Sequence, residues 1–254
     1  MKALILALIL ALPAFAQIKR PEPPAVKPTF AESRQAVVVT TANWDTTQGK
    51  ARLYERSSAK KEWKLVGSGF DISVGRSGLG TTREDAWDMD LTSLRGLLKQ
   101  EGDGRSPAGL MPLTYAFGTA DKAETKLKYL KLAEHTECVD DANSNHYNKI
   151  VNRMQVGAFD WKSSEKMAEI TPEYDLGVFV AYNSYPAARG RGSCIFLHIW
   201  KTPGEATSGC TAMSRENLER LVAWLDPEKT PYLVQMPEEA YKHHEKKWKL
   251  PKLK

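Results

Sequence analysis

This chain of 254 residues has no set of His, Cys, Asp and Glu at zinc-site spacing, so metal catalysis is disfavoured. Its glycine-rich stretch from Gly102 to Gly109 is followed by no Lys-Ser/Thr pair, which excludes a phosphate cradle. No cofactor is expected. Basic and aromatic residues do not interleave into a base-stacking surface, and the net charge is only +5. The lysine-bearing stretches 122–131 and 242–249 read as solvated helix faces. That mild basicity suits a protein working near anionic polymer or membrane and argues against nucleic acid as a partner. After residue 12 no segment supplies the roughly 20 apolar residues that a membrane span needs. Cysteine is scarce, and three residues leave an odd one after any single pairing.

What is present begins with a leader. Met1-Lys2 supplies a short positive end, Ala3 to Leu12 is an unbroken apolar run, and Ala14-Phe15-Ala16 is a small-x-small cleavage site; residues 1–16 read as a secretory signal peptide. The run is too short to stay in a bilayer, and no Cys follows the cleavage site to carry a lipid. A soluble protein starting near Gln17 is therefore expected, periplasmic or otherwise extracytoplasmic, with no integral membrane segment after cleavage and with a monomer as its state. Residues 17–34, with Pro21, Pro23, Pro24 and Pro28 among charges, read as an extended or disordered linker. A single domain is expected over 35–238, and a charged C-terminal tail over 239–254.

Short β-branched or alternating runs dominate the domain. Val37 to Thr40, Ala51 to Arg56 and Trp63 to Val66 are separated by Gly, Asp, Asn and Ser clusters, as in an antiparallel meander. Ile72 to Gly75 continues the pattern. Gly177 to Tyr182 and Cys194 to Trp200 look like buried strands, and Tyr232 to Met236 like a closing one. Asp121 to Ala133 has helical composition. Ser214, with Asn217 three residues on, is a weak capping box opening a second helix that runs to about Leu225. The fold class is mainly β, a β-sandwich-like core with a few peripheral α-helices.

The chemistry concentrates in two neighbouring segments. Cys194 to Trp200 is an apolar run carrying His198, and after a Pro/Gly-bearing loop comes Thr207-Ser208-Gly209-Cys210. A thiol and an imidazole at adjacent element ends make a nucleophile with a general base. Cys210 would sit just upstream of the helix opened by Ser214, where peptide dipoles favour a thiolate. Gly209 and Ser208 would support the backbone there, the glycine letting it approach a carbonyl and the Cys210 amide facing the developing oxyanion. After His198 comes Ile199, so only a main-chain carbonyl is at hand to fix the imidazole tautomer. Taken alone, each residue has a plain structural reading too: Cys210 as an inert core residue or disulfide half, His198 as a satisfied strand histidine. Asp140, Asp141, Asn143, His146, Tyr147 and Asn148 either line a cleft or form an Asx-rich turn before a helix.

These residues resemble the catalytic region of the L,D-transpeptidase (YkuD-type) family. The resemblance extends through Lys99-Gln100-Glu101-Gly102-Asp103-Gly104-Arg105-Ser106-Pro107-Ala108-Gly109 and, in order and character, through most of 35–237. The commonest family signature places a His before the Gly and an Arg or Asn two residues after the Cys. Here those positions are Ser208 and Ala212, and the His-to-Cys interval is short, which marks a divergent branch. The resemblance implies an L,D-transpeptidase catalytic domain in an exported cysteine acyltransferase acting on peptidoglycan stem peptides. Cys210, deprotonated by His198, would form a thioester with loss of terminal D-alanine and pass the acyl group to an amine, giving 3–3 cross-links. Alternatives are an L,D-carboxypeptidase that trims tetrapeptide to tripeptide stems, and a non-catalytic wall-binding protein of the same fold. Arg105, Arg189 and Arg191 are candidates for a substrate carboxylate, since guanidinium forks match it bidentately, or else plain surface arginines. If Cys210 stays a free thiolate, Cys138 and Cys194 remain to form a disulfide in an oxidising compartment; otherwise they are two buried thiols.

Overall fold

The computed structural model describes residues 29–82 and 97–253. The signal peptide and most of the linker expected from the sequence lie outside the described residues. In chain order the strands are β1 (Gln35–Thr41), β2 (Gln48–Glu55), β3 (Lys64–Ser73), β4 (Leu79–Thr81), β5 (Ser106–Gly118), β6 (Lys128–Lys131) and β7 (Thr136–Cys138). They continue as β8 (Ile150–Asn152), β9 (Glu165–Lys166), β10 (Leu176–Val180), β11 (Phe196–Ile199), β12 (Thr211–Met213) and β13 (Tyr232–Pro237). Two helices are described, α1 (Arg215–Trp224) and α2 (Glu238–Trp248).

The meander read from the sequence is present, with β2 antiparallel to both β1 and β3. All seven residues of β1 are buried, because β2 flanks it on one side and parallel β13 on the other while both faces are covered. A strand so enclosed reads as a continuous apolar run rather than an alternating one. Burial of Val37, Val38 and Val39 contributes about 1.5–3 kcal/mol each.

The large sheet runs β10-β11-β12-β3-β2-β1-β13-β5-β4, with β6 on β5, and β10 also pairs β5, so the sheet closes on itself. Strand β5 makes this closure by changing partner. It pairs β13 from Gly109 to Pro112 and β10 from Leu113 to Gly118. Pro112 sits at the change, where its missing N–H costs the ladder nothing, and its carbonyl accepts from Ala181. The result is a mainly β, sandwich- or barrel-like core, in line with the β-sandwich-like fold expected. A small separate sheet, β8-β7-β9, stands beside it.

Helix α1 is capped as read from the sequence: Ser214 accepts the Asn217 N–H at 3.3 Å. Its buried Leu218, Leu221 and Val222 recur at helical spacing and face β10 and β11.

Three expectations fail. Residues 121–133 are irregular chain and strand β6, which adds in parallel to the edge of β5 with Leu127 and Leu132 buried on either side. An available sheet edge outweighs a weak helical propensity. The charged tail is not a tail: Ala240, Tyr241 and His244 of α2 are buried against β1 and β13, and Tyr241 Oη donates to the Pro251 carbonyl. The lysines of 242–249 cover the outer side of that helix, so their charge hides an apolar face. The linker also ends in structure, since Phe30 is buried, stacks on Trp63 at 5.8 Å and is followed by Ser33 bonded through its carbonyl to Arg56.

Candidate active site

The sheet brings the two sequence-nominated residues together. Strands β11 and β12 are parallel, with Leu197 opposite Thr211 and His198 opposite Ala212. Cys210 therefore lies one step before Thr211, beside Phe196, and on the same face as His198. The Phe196 N–H donates to Cys210 Sγ at 3.3 Å, and the thiol donates to the Cys194 carbonyl at 3.4 Å. Ala212 fills little space beside the imidazole. Cys210 and His198 are each only 7 % exposed.

His198 Nδ1 lies 2.7 Å from the Ile199 carbonyl. A carbonyl accepts only, so Nδ1 carries the hydrogen and the neutral ring keeps its lone pair on Nε2. The main-chain acceptor expected from the sequence is thus the one in place. Burial lowers the His198 pKa and so favours the neutral ring, opposed by the Ile199 bond and by Glu173. Burial also pushes the Cys210 thiol well up, with Glu165 adding to the rise; the Phe196 amide, the Tyr174 hydroxyl and Lys99 act against it. At rest the pair is thiol and neutral imidazole.

One expectation about the thiol is corrected. Strand β12 separates Cys210 from α1, which begins at Arg215. The dipole effect falls off within the first turn, so α1 does not supply the field at the sulfur.

The glycine-rich segment recognised in the sequence supports Cys210 from beneath. Ser106 Oγ donates to the Cys210 carbonyl at 2.7 Å and accepts the Gly75 N–H at 2.8 Å. Thr207 Oγ1 donates to the same carbonyl at 2.7 Å and accepts the Gly209 N–H at 3.1 Å. Gly209 has φ +155°, and a Cβ there would lie 3.2 Å from the Arg105 carbonyl. The positive φ and this close approach to the chain's own backbone favour glycine at 209. Ser208 is exposed on the turn. Asp103 organises the loop, accepting from Lys99 Nζ, Gln100 N and Arg105 N at 2.7–2.8 Å.

Cys138 and Cys194 form the disulfide, and Cys210 is the free thiol. The bridge ties β7 of the small sheet to the segment entering β11. Asn148, held at φ +57°, accepts the Cys194 N–H at 2.9 Å and donates to the Tyr182 and Asn183 carbonyls at 3.0 and 2.7 Å. The Asx-rich stretch is a turn, as one of its two readings had it, but it leads into β8 rather than a helix.

Two of the three arginine candidates have their guanidinium groups engaged elsewhere. Arg105 pairs with Asp45 at 2.9 Å and donates to the Leu79 carbonyl at 2.9 Å, so its fork is occupied. Arg189 donates to the Asn143 carbonyl at 2.9 Å from an exposed position. Arg191 is half-buried in the turn before Gly192, its carbonyl accepting from Tyr182 Oη. No group of three or more metal-ligating side chains exists among the described residues.

Two residues at the site had no sequence signal. Tyr174 packs in the same buried cluster as Cys210 and donates to Glu165 Oε2 at 2.6 Å, and its ring stands edge-on to His198 at 5.5 Å. They come from separate segments, and only the placement of β9 beside β7 brings Glu165 in.

The sequence model of the YkuD family, the L,D-transpeptidase catalytic domain, matches residues 40–234. The chain belongs to this family. No curated protein matches it. Among solved structures, this YkuD domain is similar to Bd1075 of Bdellovibrio bacteriovorus at 11 % identity and TM-score 0.39, covering 88 % of this chain and 56 % of that one. It is also similar to the helical cell shape determining protein Pgp2 of Campylobacter jejuni at 14 % identity and TM-score 0.39, covering 81 % and 48 %. The chain thus spans about half the length of these structures. No helix among the described residues of this YkuD protein is long and apolar enough to cross a membrane.

Proposed function

We propose that this YkuD-family protein is an exported cysteine acyltransferase acting on peptidoglycan stem peptides. The observation that carries the reading is one free thiol, Cys210, set on the same sheet face as a neutral His198 whose Nδ1 is fixed by Ile199. His198 Nε2 takes the thiol proton as Sγ attacks the carbonyl between the third stem residue, a diaminopimelate-type centre, and D-alanine. The Cys210 amide, beside Gly209, donates to the oxyanion; such a donor is worth about 10²–10³ in rate. The imidazolium then protonates the departing amine, D-alanine leaves, and a thioester remains on Cys210. An amine of a second stem attacks the thioester, losing its proton to His198 and restoring the thiol, which closes the 3–3 cross-link. The disulfide fits an oxidising, extracytoplasmic site of action.

A second reading has an observation of its own. The burial that raises the Cys210 pKa suits an idle thiol in a wall-binding protein of the same fold. Incubation of the mature protein with disaccharide-tetrapeptide muropeptides separates the cases. Dimers linked through tripeptides establish the transpeptidase, and tripeptide monomer with free D-alanine the carboxypeptidase. Full turnover by Cys210→Ala refutes the cysteine mechanism.

A further inference from the structure

The thiol at the centre of the proposed reaction shares its buried surroundings with a third polar side chain. Tyr174 lies in the same buried cluster as Cys210 and Phe196, its hydroxyl acts on the Cys210 thiol, and its own proton is given to Glu165 Oε2 at 2.6 Å. Its ring packs edge-on against both Phe196 and His198, which fixes where the hydroxyl points. A phenol has one proton, so it cannot serve the carboxylate and the sulfur together.

Building on the acyl-transfer reading, we propose that Tyr174 is a catalytic residue that donates its hydroxyl hydrogen bond to the Cys210 thiolate, and that Glu165 positions this donor by its protonation state. With Glu165 ionised, the Tyr174 proton is committed to the carboxylate and the sulfur sees a nearby negative charge. With Glu165 protonated, the carboxyl O–H donates to Tyr174 Oη, the phenol turns its proton to sulfur, and the negative charge is gone. His198 Nε2 still receives the thiol proton, so the step is one proton from sulfur to nitrogen plus a reorientation of two hydrogen bonds. No covalent bond beyond S–H and N–H changes.

The surroundings suit such a device. Burial raises the Glu165 pKa to about 7, with Asp140 and Glu101 adding to the rise and the Tyr174 bond opposing it. Glu101 is itself anchored by Tyr147 Oη and by Ser193 Oγ at 2.7 Å. Lys99, on the loop before Ser106, is the cation that acts on the sulfur, and Glu173 is the acid that acts on His198. Glu165 lies opposite Cys138 in the β7–β9 register. The Cys138–Cys194 bridge therefore staples the strand bearing Glu165 to the segment whose Cys194 carbonyl accepts the thiol hydrogen bond.

The test titrates the thiol without substrate, by iodoacetamide alkylation of the mature protein from pH 6 to 10, in wild type, Glu165→Gln and Tyr174→Phe. Glu165→Gln keeps a donor for Tyr174 and removes the charge, so alkylation at pH 8 rises about tenfold, the change in thiolate fraction for one pKa unit. Tyr174→Phe removes the donor that serves the sulfur while Glu165 is protonated, so it lowers alkylation about tenfold at pH 6 and by less at pH 8 and above, where wild type has already lost that bond. With muropeptide substrate, wild-type kcat/KM falls as pH rises through the Glu165 titration, and Glu165→Gln removes that fall. Rates within twofold of wild type for both variants at every pH overturn the proposal. Should Tyr174→Phe not fold, Glu165→Gln alone decides, because an alkylation rate unchanged by loss of that charge contradicts the coupling. Loss of the acyl-transfer reading would show instead as absent Cys210-dependent turnover, which this titration does not need.

Discussion

Removing the Cys138–Cys194 bridge is the perturbation with the clearest size. The two residues are 56 apart in sequence, so the bridge restricts a long loop of the unfolded chain. On the loop-entropy scale a closure of that length is worth about 4 kcal/mol. The site gives no sign that the folded chain needs the bridge for its local hydrogen bonds, since Asn148 independently holds the Cys194 amide and the flanking Tyr182 and Asn183 carbonyls. Cys138→Ala/Cys194→Ala is therefore expected to fold and to lose about 4 kcal/mol in urea denaturation. Its thermal midpoint should fall by about 8–16 °C, at 2–4 °C per kcal/mol for a chain of this size. Wild type with reductant should show the same loss, and the double variant should be insensitive to reductant. The double variant should also lose turnover more steeply than stability explains, because β7, and with it β9 and Glu165, then loses its covalent tie to the segment entering β11. A loss below about 1 kcal/mol, or a reductant response in the double variant, would refute the loop-entropy reasoning.

Three further outcomes follow from named contacts. Asn148→Ala leaves the Cys194 amide and two carbonyls without their partner and puts alanine at φ +57°, so a loss of about 3 kcal/mol is expected by urea denaturation. Gly177→Ala would place a Cβ 2.2 Å from Phe117 Cζ, next to the His198 pairing, and should cost about 1–3 kcal/mol together with activity. The folded-state pKa of Glu165 is raised from 4.5 to about 7, so the folded protein binds the proton more tightly than the unfolded one. That stabilisation is complete below pH 4.5 and is lost as pH rises through about 7. Glu165→Gln should therefore be the more stable protein above neutrality relative to its difference at pH 4, as read from paired urea curves.

Local patterns carried much of this molecule. The buried strands, the Ser214 cap and the Ser-Gly-Cys turn are each written in a few adjacent residues, and hydrophobic period and turn chemistry suffice to read them. Residues 121–133 misled because composition says nothing about the free edge of β5, and 239–253 misled because charge on one helix face masks the buried Ala240, Tyr241 and His244. Arg105 looked like a carboxylate ligand for its chemistry alone, while Asp45 and the Leu79 carbonyl that occupy it lie 60 and 26 residues away. Tyr174 and Glu165 were illegible for the same reason. Neither has a motif, and their meaning depends on β9 pairing β7 and on the bridge between β7 and the entry to β11.

The central claim is that Cys210 carries the acyl group. Tetrapeptide muropeptide mixed with the mature protein, quenched in acid and mapped by peptide mass spectrometry, tests it directly. The account predicts a stem-peptide thioester on the Cys210 peptide that is absent from Cys210→Ala, with one D-alanine released per adduct. Turnover without any adduct on Cys210, or an intact free thiol with no D-alanine released from a folded protein, would contradict it.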